Sequence, residues 1–228
     1  RRQLLQGAAA LAAAPALGLA RPAIAQGKRN TLIYAPQSDL ANPDPIWTTA
    51  TIATIHGNLI WDILYGLDAK LMPQPQMLAG HEISADGLVW KLTLRDGLKW
   101  HDGEPVRSDD CIPSIKRWAA RNPFGGTLMG VTNEIRKVDD KSFAFHLKKP
   151  FPQLPYALGS AGCYIMPERM AKTDPFKQIS EYVGSGPFTF IRKDWVSGAS
   201  AAYEKFAGYV PRSEPASMWA GGKRVYVE

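Results

Sequence analysis

The chain has 228 residues, of which 45% are hydrophobic and 21% charged, and a formal net charge of +6. That balance belongs to a globular protein and excludes a disordered or collagen-like chain, while the length suits one sizeable domain or two small ones. The basic residues form no run and three of the arginines fall within the first 21 positions, so the charge does not point to a nucleic-acid surface.

Arg1 and Arg2 open the sequence. Leu4 to Leu19 carries no charge, Arg21 and Pro22 stop the apolar run, and Ala23-Ile24-Ala25 follows. A bilayer-crossing helix needs about 20 consecutive apolar residues, so this run is too short. A charged start, a moderate apolar core and an A-x-A site make a secretory signal, and adjacent arginines point to the twin-arginine route, with the general secretory route as the alternative. Cleavage is expected between Ala25 and Gln26. Loss of Arg1, Arg2 and Arg21 then lowers the formal charge from +6 to +3. No cysteine lies near that site, so the product is expected to be exported and soluble without a lipid anchor. No second long apolar run occurs, so no membrane span is expected.

Thr31 to Ala35 reads as a short buried strand. The loop Pro36 to Pro45 follows, with Asn42-Pro43-Asp44-Pro45 as its rigid turn. A helix is predicted over 48–64, because Ile52, Ile55, Leu59, Ile60, Ile63 and Leu64 recur at three- and four-residue steps. Leu88, Trp90, Leu92 and Leu94 alternate with other residues at period two, which predicts a half-buried strand. The turn dipeptides Asp86-Gly87, Asp96-Gly97 and Asp102-Gly103 surround it. Ser108-Asp109-Asp110 looks like a helix start, with Ser108 as the capping hydroxyl and two acids at the positive end of the dipole. That helix is predicted to run to about Ala120 despite Pro113, which removes a backbone donor. Strands are predicted at 134–138 and 142–147 around a turn at Asp139-Asp140-Lys141. Phe151 to Leu158 reads as the start of a short helix, Gly162 to Met166 as a strand, Gly184 to Pro187 as a sharp turn into a strand at 188–192, and Lys223 to Val227 as a further strand.

The chemistry-bearing constellations are sparse. His101-Asp102 invites a metal or hydrolase reading, but none of the four histidines has an H-x-x-x-H or H-x-x-E-H partner. The bland reading, an Asp-Gly turn after a strand, is favoured. Gly184-Ser185-Gly186 is no phosphate cradle, because Pro187 has no N–H to donate. No catalytic set or metal ligand set stands out. Cys111 and Cys163 either form a bridge, which an exported compartment permits, or are two small buried thiols; their spacing does not decide. The aromatic content supports a ligand cleft, although most aromatic residues belong to a core.

Asp86-Gly-Leu-Val-Trp-Lys-Leu-Thr-Leu-Arg-Asp-Gly-Leu-Lys-Trp-His-Asp-Gly-Glu-Pro-Val106, followed by Ser108-Asp109-Asp110-Cys111, resembles the signature of the family 5 extracytoplasmic solute-binding proteins. These are the dipeptide, oligopeptide and nickel receptors of ABC importers. Asn42 to Pro45, Leu64-Tyr65-Gly66-Leu67, Lys137 to Lys141, Gly184 to Phe188 and Tyr203 to Tyr209 match further family segments in order. Tyr65 stands where the family usually has Glu, Arg107 where a capping Thr is usual, and Cys111 in place of an aliphatic residue. The family chain is considerably longer.

The resemblance implies an α/β, mixed α+β fold: a periplasmic-binding-protein-like type II lobe with an inserted β-rich subdomain, the second lobe lying beyond this chain. The first-lobe subdomain is expected at 27–66 plus 167–228 and the insertion at 67–166. It also implies no enzyme and no cofactor. Expected instead are hinge closure around a small, peptide-like solute, delivery to an ABC importer permease, periplasmic localisation and a monomer at full length. Ligands of open sheets bind beyond the carboxyl ends of strands, so Gln37, Ser38, Asp39 and Asn42 are the candidate contacts, with Trp61 and Tyr65 as apolar walls. Two other readings are a periplasmic metal-assisted hydrolase using His101 and Asp102, and a chaperone-like or signalling binding module.

Overall fold

A computed structural model describes residues 30–160 and 162–227. The expected export segment and its cleavage point at Ala25 and Gln26 lie outside the described residues. Among the described residues, no helix is long and apolar enough to cross a membrane.

The centre is a four-stranded antiparallel sheet in the order β3 (Leu78–Ile83), β4 (Val89–Leu94), β6 (Ser142–Leu147), β5 (Thr132–Lys137). The alternation in β4 works as the pattern requires: Trp90, Leu92 and Leu94 face the core and Lys91 and Thr93 do not. In register, Trp90 meets Phe145 and Leu92 meets Phe143, so the apolar faces of neighbouring strands coincide. Helix α2 (Ser108–Ala119) and helix α3 (Pro123–Val131) cover this layer and bury Ile115, Trp118 and Leu128.

The capping of α2 differs from expectation. Arg107 is the N-cap residue, its backbone N–H donating to Asp110 Oδ2 at 2.8 Å, while the Ser108 hydroxyl donates to the Asp139 carbonyl. The carboxylate of the first turn therefore serves the helix end and Ser108 ties the helix to the β5–β6 turn. Helix α3 follows after only three residues. Asn122 caps it through Oδ1 to the N–H groups of Phe124 (2.9 Å) and Gly125 (3.1 Å), with Pro123 at the first position. A Cβ at Gly125 would lie 2.6 Å from Ala119 Cα, so this glycine permits the close approach of the two helices.

Helix α1 spans Thr51–Ile60, shorter than the apolar spacing predicts. Trp61 is already extended (φ −116°, ψ 153°), Ile63 bridges to Tyr164, and β1 (Tyr65–Leu67) pairs with β2 (Pro73–Pro75). Ile63 and Leu64 are thus core residues of an extended segment. Short helices α4 (Leu154–Gly159) and α5 (Glu168–Ala171) precede a hairpin of β7 (Phe188–Phe190) with β8 (Tyr203–Lys205).

Three predicted strands are not strands. Residues 31–35 form no ladder, and Leu32 and Ile33 are 74% and 91% exposed. An apolar run becomes a strand only when a neighbour supplies hydrogen bonds and a facing layer, and among the described residues nothing pairs with it. Residues 223–227 likewise lack a ladder. Gly162 to Met166 makes the single bridge at Tyr164, and the Ile165 N–H donates to the Asp62 carbonyl. Cys111 and Cys163 are fully buried, unbridged thiols, and burial pushes both thiol pKa values up.

Candidate functional site

A cavity of about 840 Å³ opens between the segment 31–40, helix α1 and the β7–β8 connection. Its floor is apolar: Ile52, Ile55 and Leu59 project from one face of α1, and Leu40 and Phe188 close the sides. Its rim is polar, formed by Gln37, Ser38, Asp39 and Ser200. Asp39 Oδ2 accepts the Ser197 hydroxyl at 2.9 Å, which ties the rim loop to the β7–β8 connection across the opening. The Trp195 indole N–H donates to the Leu40 carbonyl at 3.0 Å and fixes the same two segments from below. Apolar walls with a few convergent polar groups are the usual make-up of a small-molecule site.

His56 lies at the inner end. It packs edge-on against Phe190 with ring centroids 4.8 Å apart, and its Nδ1 shares a 2.7 Å hydrogen bond with the Tyr203 hydroxyl. Its Nε2 is buried without a partner among the described residues. Burial lowers its pKa to about 3, so the imidazole is neutral at physiological pH. A smaller hollow of about 240 Å³ adjoins on the other side of Phe188. It is lined by Asn58, Trp219, Lys223 and Arg224, among others. There Lys223 Nζ pairs with the fully buried Asp62 at 2.8 Å.

Three of the six sequence-predicted contacts, Gln37, Ser38 and Asp39, come together on this rim. Asn42 sits apart: its Oδ1 accepts the Asp44 N–H at 2.9 Å and shapes the turn. Trp61 and Tyr65 are both 0% exposed. The Trp61 indole donates to the Val183 carbonyl at 2.9 Å, and the Tyr65 hydroxyl shares a 2.8 Å bond with His81 Nδ1. Sequence reasoning passed over Ile52, Ile55, Leu59 and Tyr203. The signal for the first three is the apolar spacing of α1, which predicts the helix but not which of its residues line a cavity.

His101 and Asp102 are committed to structure. The Gly184 N–H donates to His101 Nδ1 at 3.1 Å, and Nε2–H donates to the Gly186 carbonyl at 3.1 Å. The neutral ring therefore clamps the Gly184–Gly186 turn. Burial lowers the His101 pKa, opposed in part by the Gly186 carbonyl and by Asp102. Asp102 accepts the Glu104 N–H within its turn and pairs with Arg169 at 2.8 Å.

The architecture is a mixed α/β fold with an open cavity beside α1. The sequence pattern of the bacterial extracellular solute-binding proteins, family 5 (middle region) matches residues 72–228, and the chain belongs to that family. It is 40% identical over its whole length to a "Probable peptide ABC transporter periplasmic-binding protein y4tO" of Sinorhizobium fredii, of which it covers 43%. It is 28% identical to the "Glutathione-binding protein GsiB" of Salmonella typhimurium, with 88% of this chain and 40% of that protein aligned. Among solved structures, a dipeptide binding protein from Pseudoalteromonas sp. SM9913 in complex with Met-Leu superimposes with a TM-score of 0.67. That match has 20% identity and covers 78% of this chain and 40% of that one. The protein AgaA of A. tumefaciens R10, in complex with agropinic acid, gives a TM-score of 0.65 at 23% identity over 77% of this chain and 35% of that one. These structures share the fold, and the chain spans less than half the length of the curated relatives it matches.

Proposed function

We propose that this chain is part of the substrate-capturing receptor of an ABC importer, taking a peptide-like small solute and delivering it to a membrane permease. The observation that carries the reading is the cavity rimmed by Gln37, Ser38 and Asp39 over the apolar face of α1, in a chain 40% identical throughout to a protein named a probable peptide ABC transporter periplasmic-binding protein. Capture of this kind is hinge closure over a bound solute, and a cavity open on one side suits a partner surface that completes it. The receptor is exported by way of the residues up to Ala25 and works in the periplasm as a monomer.

The domain division follows the same reading. Residues 67–166 form the inserted subdomain, supported by the confinement of the central sheet to residues 78–147. Residues 27–66 and 167–228 form the ligand-bearing part. The receptor is no enzyme and needs no cofactor, a reading supported by His101 holding the Gly184–Gly186 turn and Asp102 being engaged by its own turn and by Arg169.

The test is isothermal titration of the intact gene product with a set of di- and tripeptides, paired with uptake of the same peptides by cells with the gene deleted. Micromolar binding together with loss of uptake supports the receptor. Peptide turnover without lasting binding would replace it with an enzyme.

A further inference from the structure

The hollow of about 240 Å³ on the far side of Phe188 has a lining of its own kind. Phe188, Met218 and Trp219 give it apolar walls. A cavity of about 150 Å³ with such walls already takes a benzene-sized guest. The polar side chains of the lining, Asn58, Lys223 and Arg224, all carry N–H donors, and among the described residues no carboxylate lines the space.

These donors are held in place from behind. Asp62 is fully buried and accepts Lys223 Nζ at 2.8 Å, the Tyr209 hydroxyl at 3.3 Å and the Ile63 N–H at 3.1 Å. It fixes the Lys223 ammonium, which has three protons to donate. Asp62 offsets one of the two cations, so the lining keeps a net positive charge. Asn58 turns its Oδ1 to the Tyr164 hydroxyl at 3.1 Å, which leaves its amide N–H groups to donate elsewhere. Met218 is held at φ 52°, in the left-handed region, within the turn that Ser217 and Ala220 close, and it is 53% exposed. Strain of this sort in a bulky residue is retained where a ligand clamp uses it.

We infer that this hollow is a second binding site, separate from the larger cavity, for a small carboxylate carried on an aromatic or apolar body. The carboxylate meets Lys223, Arg224 and Asn58, and the body lies against Phe188, Met218 and Trp219. Ammonium and guanidinium groups give charge-assisted hydrogen bonds to a carboxylate, and partial enclosure strengthens them over a pair in open water. A neutral analogue of the same shape gains the walls without the charge, and a cation is repelled, so the site discriminates in both directions. The inference does not depend on reading the larger cavity as the solute site.

The experiment is calorimetry on the intact gene product with phenylacetate and its neutral counterpart phenylacetamide. The proteins are the wild type, Arg224→Gln, the double variant Asp62→Asn with Lys223→Met, and Lys99→Gln, which removes an exposed charge elsewhere. The double variant removes the buried pair as a unit and leaves no lone charge behind; if it fails to melt cooperatively, Arg224→Gln decides. The wild type is expected to bind phenylacetate at least about tenfold more tightly than phenylacetamide, and Lys99→Gln to keep that ratio. Arg224→Gln and the double variant are each expected to cut it to about threefold or less. Binding of neither probe at millimolar concentration, equal binding of both by the wild type, or a ratio unchanged by Arg224→Gln and by the double variant overturns the site. Saturating Ala-Leu-Ala is expected to change phenylacetate affinity by no more than about twofold; displacement of phenylacetate by the peptide overturns the separateness of the two sites.

Discussion

Arg117 Nη2 stands 2.7 Å from Asp44 Oδ2, and neither side chain is exposed. Most of the remaining hydrogen-bonding capacity of both groups is used. Asp44 also accepts the N–H groups of Ile46, Trp47 and Ile179, and Arg117 donates to the carbonyls of Thr173 and Lys177. One buried pair thus joins the turn at 42–47, helix α2 and the segment 173–179. Removing one partner leaves the other as an uncompensated buried charge, which is far worse than replacing both. Asp44→Ala is expected to lose about 3–5 kcal/mol in urea unfolding. Asp44→Ala combined with Arg117→Met should lose less than the sum of the two single changes.

The buried His56 makes stability depend on acid. Its folded pKa of about 3 lies below the ordinary 6.5, so the folded state binds fewer protons than the unfolded one between those values. Its contribution is complete above about pH 6.5 and is lost as pH falls toward 3, by on the order of 4–5 kcal/mol in total. His56→Phe should flatten the acid limb of a plot of melting temperature against pH. An unchanged limb would assign it to other groups.

Gly184 tests the clamp formed by His101. A Cβ at residue 184 would sit 1.6 Å from the Ile60 carbonyl oxygen, at the end of α1, with His101 Cε1 also close. Backbone must move for any side chain to fit. Gly184→Ala should therefore destabilise by more than about 3 kcal/mol, beyond the ordinary range of single substitutions. Gly198 provides the contrast. No atom would lie within 4 Å of its Cβ, so Gly198→Ala carries only the strain of its positive φ. Thermal melts of the two variants measure the difference.

Ser38 and Trp61 should separate binding from folding. Ser38 lies exposed on the rim, so Ser38→Ala is expected to weaken peptide binding several-fold and leave the melting temperature unchanged. Trp61 is wholly enclosed and bonded to Val183, so Trp61→Ala should cost about 3–5 kcal/mol of stability, with any binding loss following from that. Calorimetry with a tripeptide ligand and a thermal melt on each variant read both effects.

The contrast between those two residues shows what the sequence made legible. Local patterns spoke clearly: the period-two alternation of Trp90, Leu92 and Leu94, the acidic start of α2, and the turn at Asp139 to Lys141 all appear where the pattern puts them. Helix α3 was silent because Gly125, Gly126 and Gly130 hide helical periodicity, and only its packing on α2 makes it pay off. Thr31 to Ala35 and Lys223 to Val227 carry strand-like composition, but a strand also needs a partner, which composition does not encode. At the site, a loop after an apolar run could be named from Gln37 to Asp39. The depth of Trp61 and Tyr65 could not, because enclosure is decided by segments more than a hundred residues away, such as Val183.

That distance along the chain governs when the protein can finish folding. His56 meets Tyr203, Leu40 meets Trp195, and Asp62 meets Lys223, with separations of 147, 155 and 161 residues. Contacts of such long range close large loops and slow the search for the native state. A nascent chain that has emerged only through β6 can pair its four-stranded sheet, yet α1 still lacks Tyr203, Phe190 and Lys223. The sheet is thus able to form early, while the cavity wall waits for segments synthesised well after it. Pulse-labelled hydrogen exchange during refolding should protect the amides of β4 and β6 before those of α1.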